Sequence, residues 1–286
     1  MTQRLKDMYQ ELIQAIQQYQ RVIVAYSGGV DSSLVLKACV DALGSENVLA
    51  VIATSQLDER GISQEAALQA YQLKSPYRII QINELDHPMI RTYHPEAWYY
   101  SKQMLYQVMT DIQRLEGYDV IMDGMIMNDL QDFRPGLKAR DEAHVVSILQ
   151  QVGIYKSQVR ELLKMLAVDI WSKPSSCSLL SRFEYGQVIT ETALDMIRKG
   201  EAYLRELGFE ICRVRIHGNL ARIEVAQERF SEMVGHHERI QAFFSDHGFD
   251  FVTLDMKGYQ SGRMNQTLSQ DVLAQYQRKV DGHDDI

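Results

Sequence analysis

Hydrophobic residues in the first half of the chain form short continuous runs separated by longer amphipathic segments. The runs are rich in Val and Ile and are bounded by Ser, Gly, Asn or Asp, which is typical of buried strands. They lie at 21–26, 47–54, 77–83 and 119–125. Between and after them, apolar residues recur at the helical spacing of three and four, at 32–44, 64–73, 97–117, 141–152 and 156–168. This alternation predicts an α/β fold with a parallel, doubly wound sheet.

The pattern changes at about residue 185. Two alternating runs, ICRVRIH and LARIEV, flank a Gly-Asn turn, which predicts a hairpin. Helical spacing precedes the hairpin at 190–207 and follows it at 227–248, and a last strand is predicted at 251–256. We therefore expect a smaller α+β unit after the first one, ending in a frayed polar tail. The predicted division is a first domain at 1–170, a linker rich in Ser at 171–186 and a second domain at 187–286.

Composition and charge limit the class of protein. The chain has 286 residues, 45% of them hydrophobic, and a formal net charge of −8. That charge disfavours a general nucleic-acid binder, and no stretch approaches the roughly 20 apolar residues that cross a bilayer. Three distant cysteines without a CxxC pair disfavour a disulfide framework and a zinc site made of cysteines. We expect a cytoplasmic protein that binds neither nucleic acid nor membrane.

The loop SGGVDSS at 27–33 carries the strongest chemical signal, because it joins a predicted strand to a predicted helix. Two glycines allow a tight turn, and the free N–H groups at a helix N-terminus favour an anion such as phosphate. Asp31 is suited to Mg²⁺ bound to that phosphate. The loop lacks the Walker lysine and the GxGxxG pattern of dinucleotide sites. The predicted phosphate ligands are Ser27, Gly28, Gly29, Asp31, Ser32 and Ser33.

The segment DGMIMNDLQDFRPGLKAR at 123–140 follows the fourth predicted strand. Gly124 permits a close backbone approach at the strand end and is a further predicted contact for the ATP phosphates. Asp129 and Arg134 offer charge for binding. Ligands of parallel sheets bind at this edge, so a binding loop is favoured over a solvated loop. Trp98, at the start of a predicted helix, is either a stacking surface for a ligand or an anchor in the core.

Only one of the three cysteines is predicted to be accessible. Cys39 and Cys212 lie among apolar residues and are expected in the core, whereas Cys177 lies in a polar loop flanked by Ser. Arg182, five residues later, can lower the pKa of the Cys177 thiol and activate it. From spacing alone, a reactive thiol and an exposed thiol without function both stay open.

Charged residues of the second unit form a further candidate site. The period of two places Arg213 and Arg215 on one face of a strand, where they can bind a phosphate or form an exposed, salt-bridged surface. Three carboxylates can form a cluster near Cys177, although sequence separation does not decide whether they meet. They are Glu201, Glu224 and Glu232.

The motif SGGVDS resembles the pyrophosphate loop of the PP-loop ATP pyrophosphatases. The wider set of segments is similar to one branch, the LarE family of ATP-dependent sacrificial sulfur transferases. The segments are VAYSGGVDSSLVLK, AWYYSKQM, DGMIMNDLQDFRPGLKAR, SSCSLLSRFEYG, EAYLRELGF, RVRIHGNLARIE and GYQSGRMN, which run from residue 24 to about 265. The resemblance implies a fold like that of adenine nucleotide alpha hydrolases, with ATP and Mg²⁺ as cofactors.

The resemblance also implies a reaction of nickel-pincer cofactor biosynthesis. ATP adenylylates a carboxylate of pyridinium-3,5-biscarboxylic acid mononucleotide, and the loop cysteine displaces AMP to form a thioester. Cleavage of the cysteine Cβ–S bond then leaves dehydroalanine. Carried to this chain, the donor is Cys177, with Arg182 beside it and Glu201 as the base for the elimination.

The remaining roles implied by the resemblance concern the substrate and the metal. Substrate contacts fall to Trp98, Asp129, Arg134, Arg213, Arg215 and Arg263, and metal contacts to Asp31, Glu224 and Glu232. Some relatives carry three cysteines that bind an iron–sulfur cluster, but SSCSLLSR contains Cys177 alone. We therefore expect no cluster and a single-turnover protein. A homo-oligomer is also expected.

Two other functions stay open. Another PP-loop adenylating enzyme, such as a tRNA or nucleotide thiolase or an amidotransferase, would be expected to show a basic face, paired cysteines or an ammonia source. A non-catalytic ATP-binding module would hold the nucleotide without releasing pyrophosphate.

Overall fold

The first unit of the computed structural model is built on a parallel four-stranded sheet. The model describes residues 3–130, 132–174, 177–260 and 263–276. The strands are β1 (Val22–Ala25), β2 (Val48–Ser55), β3 (Tyr77–Ile82) and β4 (Val120–Met122). Their order in the sheet is β3-β2-β1-β4, and Val22 of β1 lies opposite both Val48 and Val120. The carboxyl ends of all four strands therefore lie at one edge.

Helices cover both faces of this sheet, because successive side chains of a strand point to opposite faces. Val22 and Val24 pack with the first, second and eighth helices of this unit, whereas Ile23 between them packs with the fifth and sixth helices. The doubly wound α/β fold is confirmed. The helices are α1 (Gln3–Ile16), α2 (Val30–Leu43), α3 (Ile62–Gln72), α4 (Pro88–Arg91), α5 (Ala97–Glu116), α6 (Gly136–Glu142), α7 (Ile148–Gln151) and α8 (Lys156–Met165).

The second unit has a smaller mixed sheet. Its order is β5-β6-β7, with β5 and β6 antiparallel and β7 parallel to β6. Helix α9 packs on the sheet through Leu194, Ile197 and Leu204, which are fully buried. The elements are α9 (Glu191–Glu206), β5 (Cys212–His217), β6 (Leu220–Val225), α10 (Phe230–Gly235), α11 (His237–Asp246), β7 (Phe251–Leu254) and α12 (Gln270–Tyr276).

The segment predicted as a linker, 171–186, is not a free connection. Leu179, Leu180 and Phe183 are fully buried in the core of the second unit. Leu57, which follows β2 in the first unit, is buried in that same core. The two units therefore share packing, and this segment is part of it.

One predicted helix, 141–152, is wrong in its extent. Helix α6 starts earlier, ends at Glu142, and is followed by His144 with a φ of 54°. The chain then joins the edge of the sheet, because Val146 forms a bridge with Met122 and its N–H donates to the Ile121 carbonyl at 2.9 Å. This pairing gives hydrogen-bond partners to backbone groups at the open edge of β4, which a helix continuing through residue 146 would leave unpaired.

The predicted helical stretch 227–248 is also interrupted. Helix α10 ends at Gly235 and α11 begins at His237, so the stretch is two helices. The predicted frayed tail lies outside the described residues from 277 onward. Within the described part of the chain, no helix is both long enough and apolar enough to cross a membrane.

Candidate functional site

The predicted phosphate loop lies between β1 and α2, at the carboxyl edge of the sheet. Gly28 has a φ of +68°, and a Cβ there would lie 2.8 Å from the Cβ of Ala66 on α3. Glycine is thus required both by the turn and by the neighbouring helix. The first N–H to bond within α2 is that of Ser33, to the Gly29 carbonyl at 3.0 Å. The N–H groups of residues 30–32 precede it and give the loop its capacity for an anion.

The serine hydroxyls of the loop are engaged with each other and with the core. Ser27 Oγ lies 3.1 Å from Ser32 Oγ, and the fully buried Ser33 hydroxyl lies 3.1 Å from the Tyr26 hydroxyl. These bonds fix the shape of the loop. Its backbone N–H groups are consequently the main donors that it offers to a phosphate.

Gly124 makes the close approach that the sequence predicts, and its neighbour is the phosphate loop itself. A Cβ at Gly124 would lie 2.7 Å from the Ser32 nitrogen. Real Cβ atoms do not approach a backbone nitrogen so closely. Gly124 therefore lets the end of β4 pack directly against the start of α2.

Asp31 forms an ion pair that the sequence analysis did not include. Lys156 Nζ, at the start of α8, donates to both Asp31 carboxylate oxygens, at 2.8 and 2.7 Å. Burial raises the pKa of Asp31, while the hydrogen bond and charge of Lys156 lower it, and burial is the larger effect. Lys156 could be found in the sequence only as a helix-start residue, with no indication of its partner.

A second lysine, Lys173, contacts the phosphate loop from outside it. Lys173 Nζ donates to the Gly28 carbonyl at 3.2 Å and to Glu65 at 2.7 Å. Arg160 of α8 holds this segment by donating to the carbonyls of Trp171 and Lys173. Helix α8 and the turn after it therefore bring two lysines to a loop that has no lysine of its own.

The charged segment after β4 is partly organised around Asp129. Its Oδ2 accepts the Ile126 N–H at 2.9 Å, and its Oδ1 lies 2.7 Å from Arg134. Asn128 Oδ1 accepts the Lys156 N–H at 2.9 Å. This loop is thus tied to α8 and faces the same edge of the sheet as the phosphate loop.

Trp98 is half-buried and packs against the core of the second unit. It lies near Tyr93 and Tyr185, whose rings stack with their centroids 4.3 Å apart. These contacts favour the core anchor over the stacking surface. Arg263 begins a 3-10 turn, and its side chain lies outside the described part of the chain.

The three cysteines are placed as the sequence predicts: Cys39 and Cys212 are buried and Cys177 is exposed. Burial raises the pKa of the Cys212 thiol to about 12. The turn after Cys177 is fixed by Leu57, whose carbonyl accepts the Leu179 N–H at 2.8 Å and the Ser178 hydroxyl at 3.4 Å. The exposed thiol therefore lies next to an anchored turn.

Arg182 and Glu201 form a fully enclosed ion pair below that turn. Arg182 Nε lies 2.7 Å from Glu201 Oε1, and a second contact is 3.1 Å. Burial raises the pKa of Glu201 and is the largest single effect, but Arg182, Arg213 and the Val214 N–H together outweigh it, and the pKa is lowered. Burial likewise opposes the charge of Arg182, yet Glu201 raises the arginine pKa, and Cys177 contributes in the same direction. Glu201 is thus an ionised partner of Arg182.

Glu59 joins this network from the first unit. It lies 3.0 Å from Arg205 and 3.7 Å from Arg182, on the loop after β2. Glu59 could not be found from the sequence, because a single carboxylate in a polar loop does not indicate its partner.

Arg213 and Arg215 share a strand face, as predicted, but that face is buried rather than exposed. Arg215 donates to the Ser181 carbonyl and to Glu224 at 2.8 Å. Arg213 lies over the Tyr259 ring at 5.0 Å and donates to the Cys212 carbonyl. Arg215 thus contacts the turn that follows Cys177 through the Ser181 carbonyl.

The three predicted carboxylates are each paired with arginine. Glu224 is fully buried beside Arg215, whereas Glu232 is exposed and lies 2.6 Å from Arg229. Among the described residues, no group of three or more His, Cys, Asp or Glu side chains is arranged to hold a metal ion. Asp31 offers a carboxylate in the phosphate loop, where phosphate oxygens can supply further ligands to Mg²⁺.

Known proteins are similar to this chain over nearly its whole length. The pyridinium-3,5-bisthiocarboxylic acid mononucleotide synthase of Lactiplantibacillus plantarum is 41% identical over 265 residues, which is 93% of this chain and 96% of that protein. The chain belongs to this synthase family, the LarE family. An uncharacterized protein of Synechocystis is 36% identical over 93% of this chain and 99% of its own length.

The first part of this chain is also similar to another group of proteins. The NAD synthase family model matches residues 1–108, which contain the phosphate loop. An NH₃-dependent NAD(+) synthetase of Methanococcus aeolicus is 41% identical over 64 residues, or 22% of this chain and 25% of that protein. The match to the L. plantarum synthase, by its length alone, must extend across Cys177.

Proposed function

We propose that this protein is an ATP-dependent sulfur transferase. It adenylylates a carboxylate of pyridinium-3,5-biscarboxylic acid mononucleotide and replaces a carboxylate oxygen with the sulfur of Cys177. The observation that carries this proposal is an exposed cysteine, Cys177, next to a turn held by the Leu57 carbonyl and by the buried Arg182, in a chain of the synthase family. The small-molecule nucleotide substrate follows from the name of the L. plantarum relative.

The first step takes place at the phosphate loop. A substrate carboxylate oxygen attacks the α-phosphorus of ATP, and pyrophosphate leaves with the electrons of the broken P–O bond. The N–H groups at the start of α2, together with Lys156 and Lys173, hold the phosphates. Mg²⁺ would neutralise phosphate charge here, with Asp31 as the protein ligand.

The second step is sulfur transfer. The Cys177 thiolate attacks the acyl carbon, AMP leaves, and a thioester forms. Removal of the Cys177 Cα proton then expels the thiocarboxylate, which takes the electrons of the Cβ–S bond, and dehydroalanine stays in the chain. Arg182 supplies positive charge near the thiolate. Glu201 as the base stays a prediction; its ion pair with Arg182 supports a second role, that of holding this arginine in place.

Other assignments stay predictions. They are the substrate contacts of Trp98, Asp129, Arg134, Arg213, Arg215 and Arg263, the metal contacts of Glu224 and Glu232, the absence of an iron–sulfur cluster, the cytoplasmic location and the homo-oligomer.

Mass spectrometry of the intact protein tests the proposal. After incubation with Mg·ATP and the dicarboxylate, we expect the chain to lose the mass of one H₂S, at Cys177 by peptide mapping. Cys177→Ala should release pyrophosphate but give no thiocarboxylate, while Cys39→Ala, a buried control, should still lose the mass. An unchanged mass with sustained turnover would contradict the proposal, and a binding module without catalysis would release no pyrophosphate.

A further inference from the structure

The loop at 55–58, which follows β2, links the nucleotide edge of the sheet to the turn after Cys177. Strand β2 is the neighbour of β1, so this loop and the phosphate loop leave adjacent strands at the same edge. The Leu57 carbonyl accepts the Leu179 N–H at 2.8 Å and the Ser178 hydroxyl at 3.4 Å. Cys177 directly precedes Ser178, so its position depends on how the loop is held.

Arg198 of α9 holds this loop from the second unit. Its guanidinium donates to the Asp58 carbonyl at 3.1 Å and to the Gln56 carbonyl. These two carbonyls flank that of Leu57, so three consecutive carbonyl groups connect the loop to α9 or to the turn after Cys177. Two donors of a planar guanidinium fix an orientation, which a single ammonium group cannot do.

Both partners in this contact are anchored. On α9, the residue before Arg198 is Ile197, which is fully buried. Within the loop, the Ser55 N–H donates to the Asp58 carboxylate at 2.7 Å, and the Leu57 N–H donates to the Ser55 hydroxyl at 3.0 Å. Removing the guanidinium would therefore release the loop from α9 without breaking the bonds within the loop.

Sulfur transfer needs a defined distance between the two parts of the site. The carboxyl carbon is activated at the phosphate loop, and the Cys177 sulfur must reach that same carbon. Misplacing reacting groups by about 1 Å can slow a reaction by about a hundredfold. Adenylylation, by contrast, uses groups of the first unit and does not require the thiol.

We propose that Arg198 is a positioning residue for sulfur transfer. Through the loop at 55–58 it holds the turn after Cys177 where the thiolate can meet the acyl adenylate. It touches no reacting atom and takes no part in forming the adenylate. The proposal rests on the proposed function for the identity of the reaction step, and on the carbonyl contacts for the identity of the residue.

Two rates measured on Arg198→Met test this role. In a single turnover with Mg·ATP and the dicarboxylate, pyrophosphate release follows adenylylation, and loss of the H₂S mass follows sulfur transfer. We expect the first rate to stay within about twofold and the second to fall about tenfold or more, because only the second step needs the turn in place. Arg198→Lys keeps the charge without the paired donors and should lie between. A general loss of structure would slow both rates together.

Hydrogen–deuterium exchange tests the contact without the reaction. In Arg198→Met the Leu179 amide should exchange about tenfold faster, because its acceptor is no longer held in place. The amides of β1 should stay protected, which shows that the fold is intact. Lys199→Met is the matched control, since Lys199 is the next residue of α9 but binds Asp195 at 2.8 Å. It should change neither the exchange nor the two rates.

The outcomes separate this proposal from the proposed function. Unchanged exchange at Leu179, or an equal change in the two rates, would overturn the role of Arg198. Pyrophosphate release without mass loss in the unchanged protein would instead contradict the proposed function. The exchange measurement would then still decide whether Arg198 holds the turn.

Discussion

Among the residues that the structure describes, Arg182 has the largest fully buried side chain. Its guanidinium binds Glu201 twice and also donates to the Ser181 hydroxyl at 2.8 Å. Glu201 has a further bond, from the Val214 N–H at 3.1 Å. An ion pair enclosed in this way stabilises little by its attraction alone, but losing one partner leaves a buried charge without compensation.

We therefore expect Arg182→Met to lower the free energy of unfolding by about 3–5 kcal/mol, because Glu201 stays buried without its main partner. Urea unfolding followed by circular dichroism measures the change. Arg229→Met is the matched control, since Arg229 pairs with Glu232 at the surface, and its midpoint should not move. Equal midpoints for the two variants would show that the Arg182–Glu201 pair does not support the fold.

Asp58 predicts a pH dependence of stability. Burial raises its pKa to about 6, against an ordinary value of 3.8. Between these two values the folded protein holds a proton that the unfolded chain releases, so the free energy of unfolding falls as the pH rises through this window. Asp58→Asn should therefore stabilise the protein by about 1–2 kcal/mol above pH 6 and have no effect below pH 4. Thermal unfolding at both extremes checks the sign, and a larger effect in acid would contradict it.

At the scale of elements, the sequence predicts a strand or helix correctly where neighbouring residues determine its conformation and its end. Helix α5 ends at Glu116 because Gly117 adopts a φ of 69°, a conformation that glycine provides freely. Strand β1 is predicted because a short, continuous run of β-branched residues is typical of a buried strand. The prediction for residues 141–152 is wrong in extent, because the chain turns at His144, which has a positive φ, and Val146 then pairs with a sheet edge that is remote in sequence.

Gly124→Ala tests the contact between β4 and the phosphate loop. The new Cβ would lie 2.7 Å from the Ser32 nitrogen, so the start of α2 must shift. We expect ATP affinity to fall by about tenfold or more, since backbone N–H groups no longer converge on the phosphate. Gly235→Ala, where a Cβ meets nothing within 4 Å, is the control and should bind ATP normally. Normal binding by both variants would refute this role for Gly124.

At the scale of the whole molecule, the site is assembled from segments that are far apart in the chain. The phosphate loop and the exposure of Cys177 could be predicted, because each depends on residues within a few positions. Lys156 lies 125 residues from Asp31, and nothing in either segment indicates the other. The burial of Arg215 was missed for a similar reason, since alternation defines the face of a strand but not what covers it.

Leu57 connects the two units and carries a prediction at this scale. It is fully buried in the second core, and its carbonyl fixes the turn after Cys177. Leu57→Ala should cost about 2–5 kcal/mol of stability and increase the rate at which iodoacetamide alkylates Cys177. Leu68→Ala, at a position 58% exposed on α3, should change neither quantity. A destabilised Leu57 variant with an unchanged alkylation rate would separate the packing of Leu57 from the placement of the turn.

The unequal burial of the three cysteines has a practical consequence. Cys39 and Cys212 are enclosed and Cys177 is open to solvent, so a colourless-to-yellow thiol assay on the folded protein should register one group per chain. If each molecule donates the Cys177 sulfur only once, the assay measures the fraction of molecules in a preparation that still carry this thiol. Applied to protein purified from growing cells, the assay would give the fraction of chains that had already lost the Cys177 thiol.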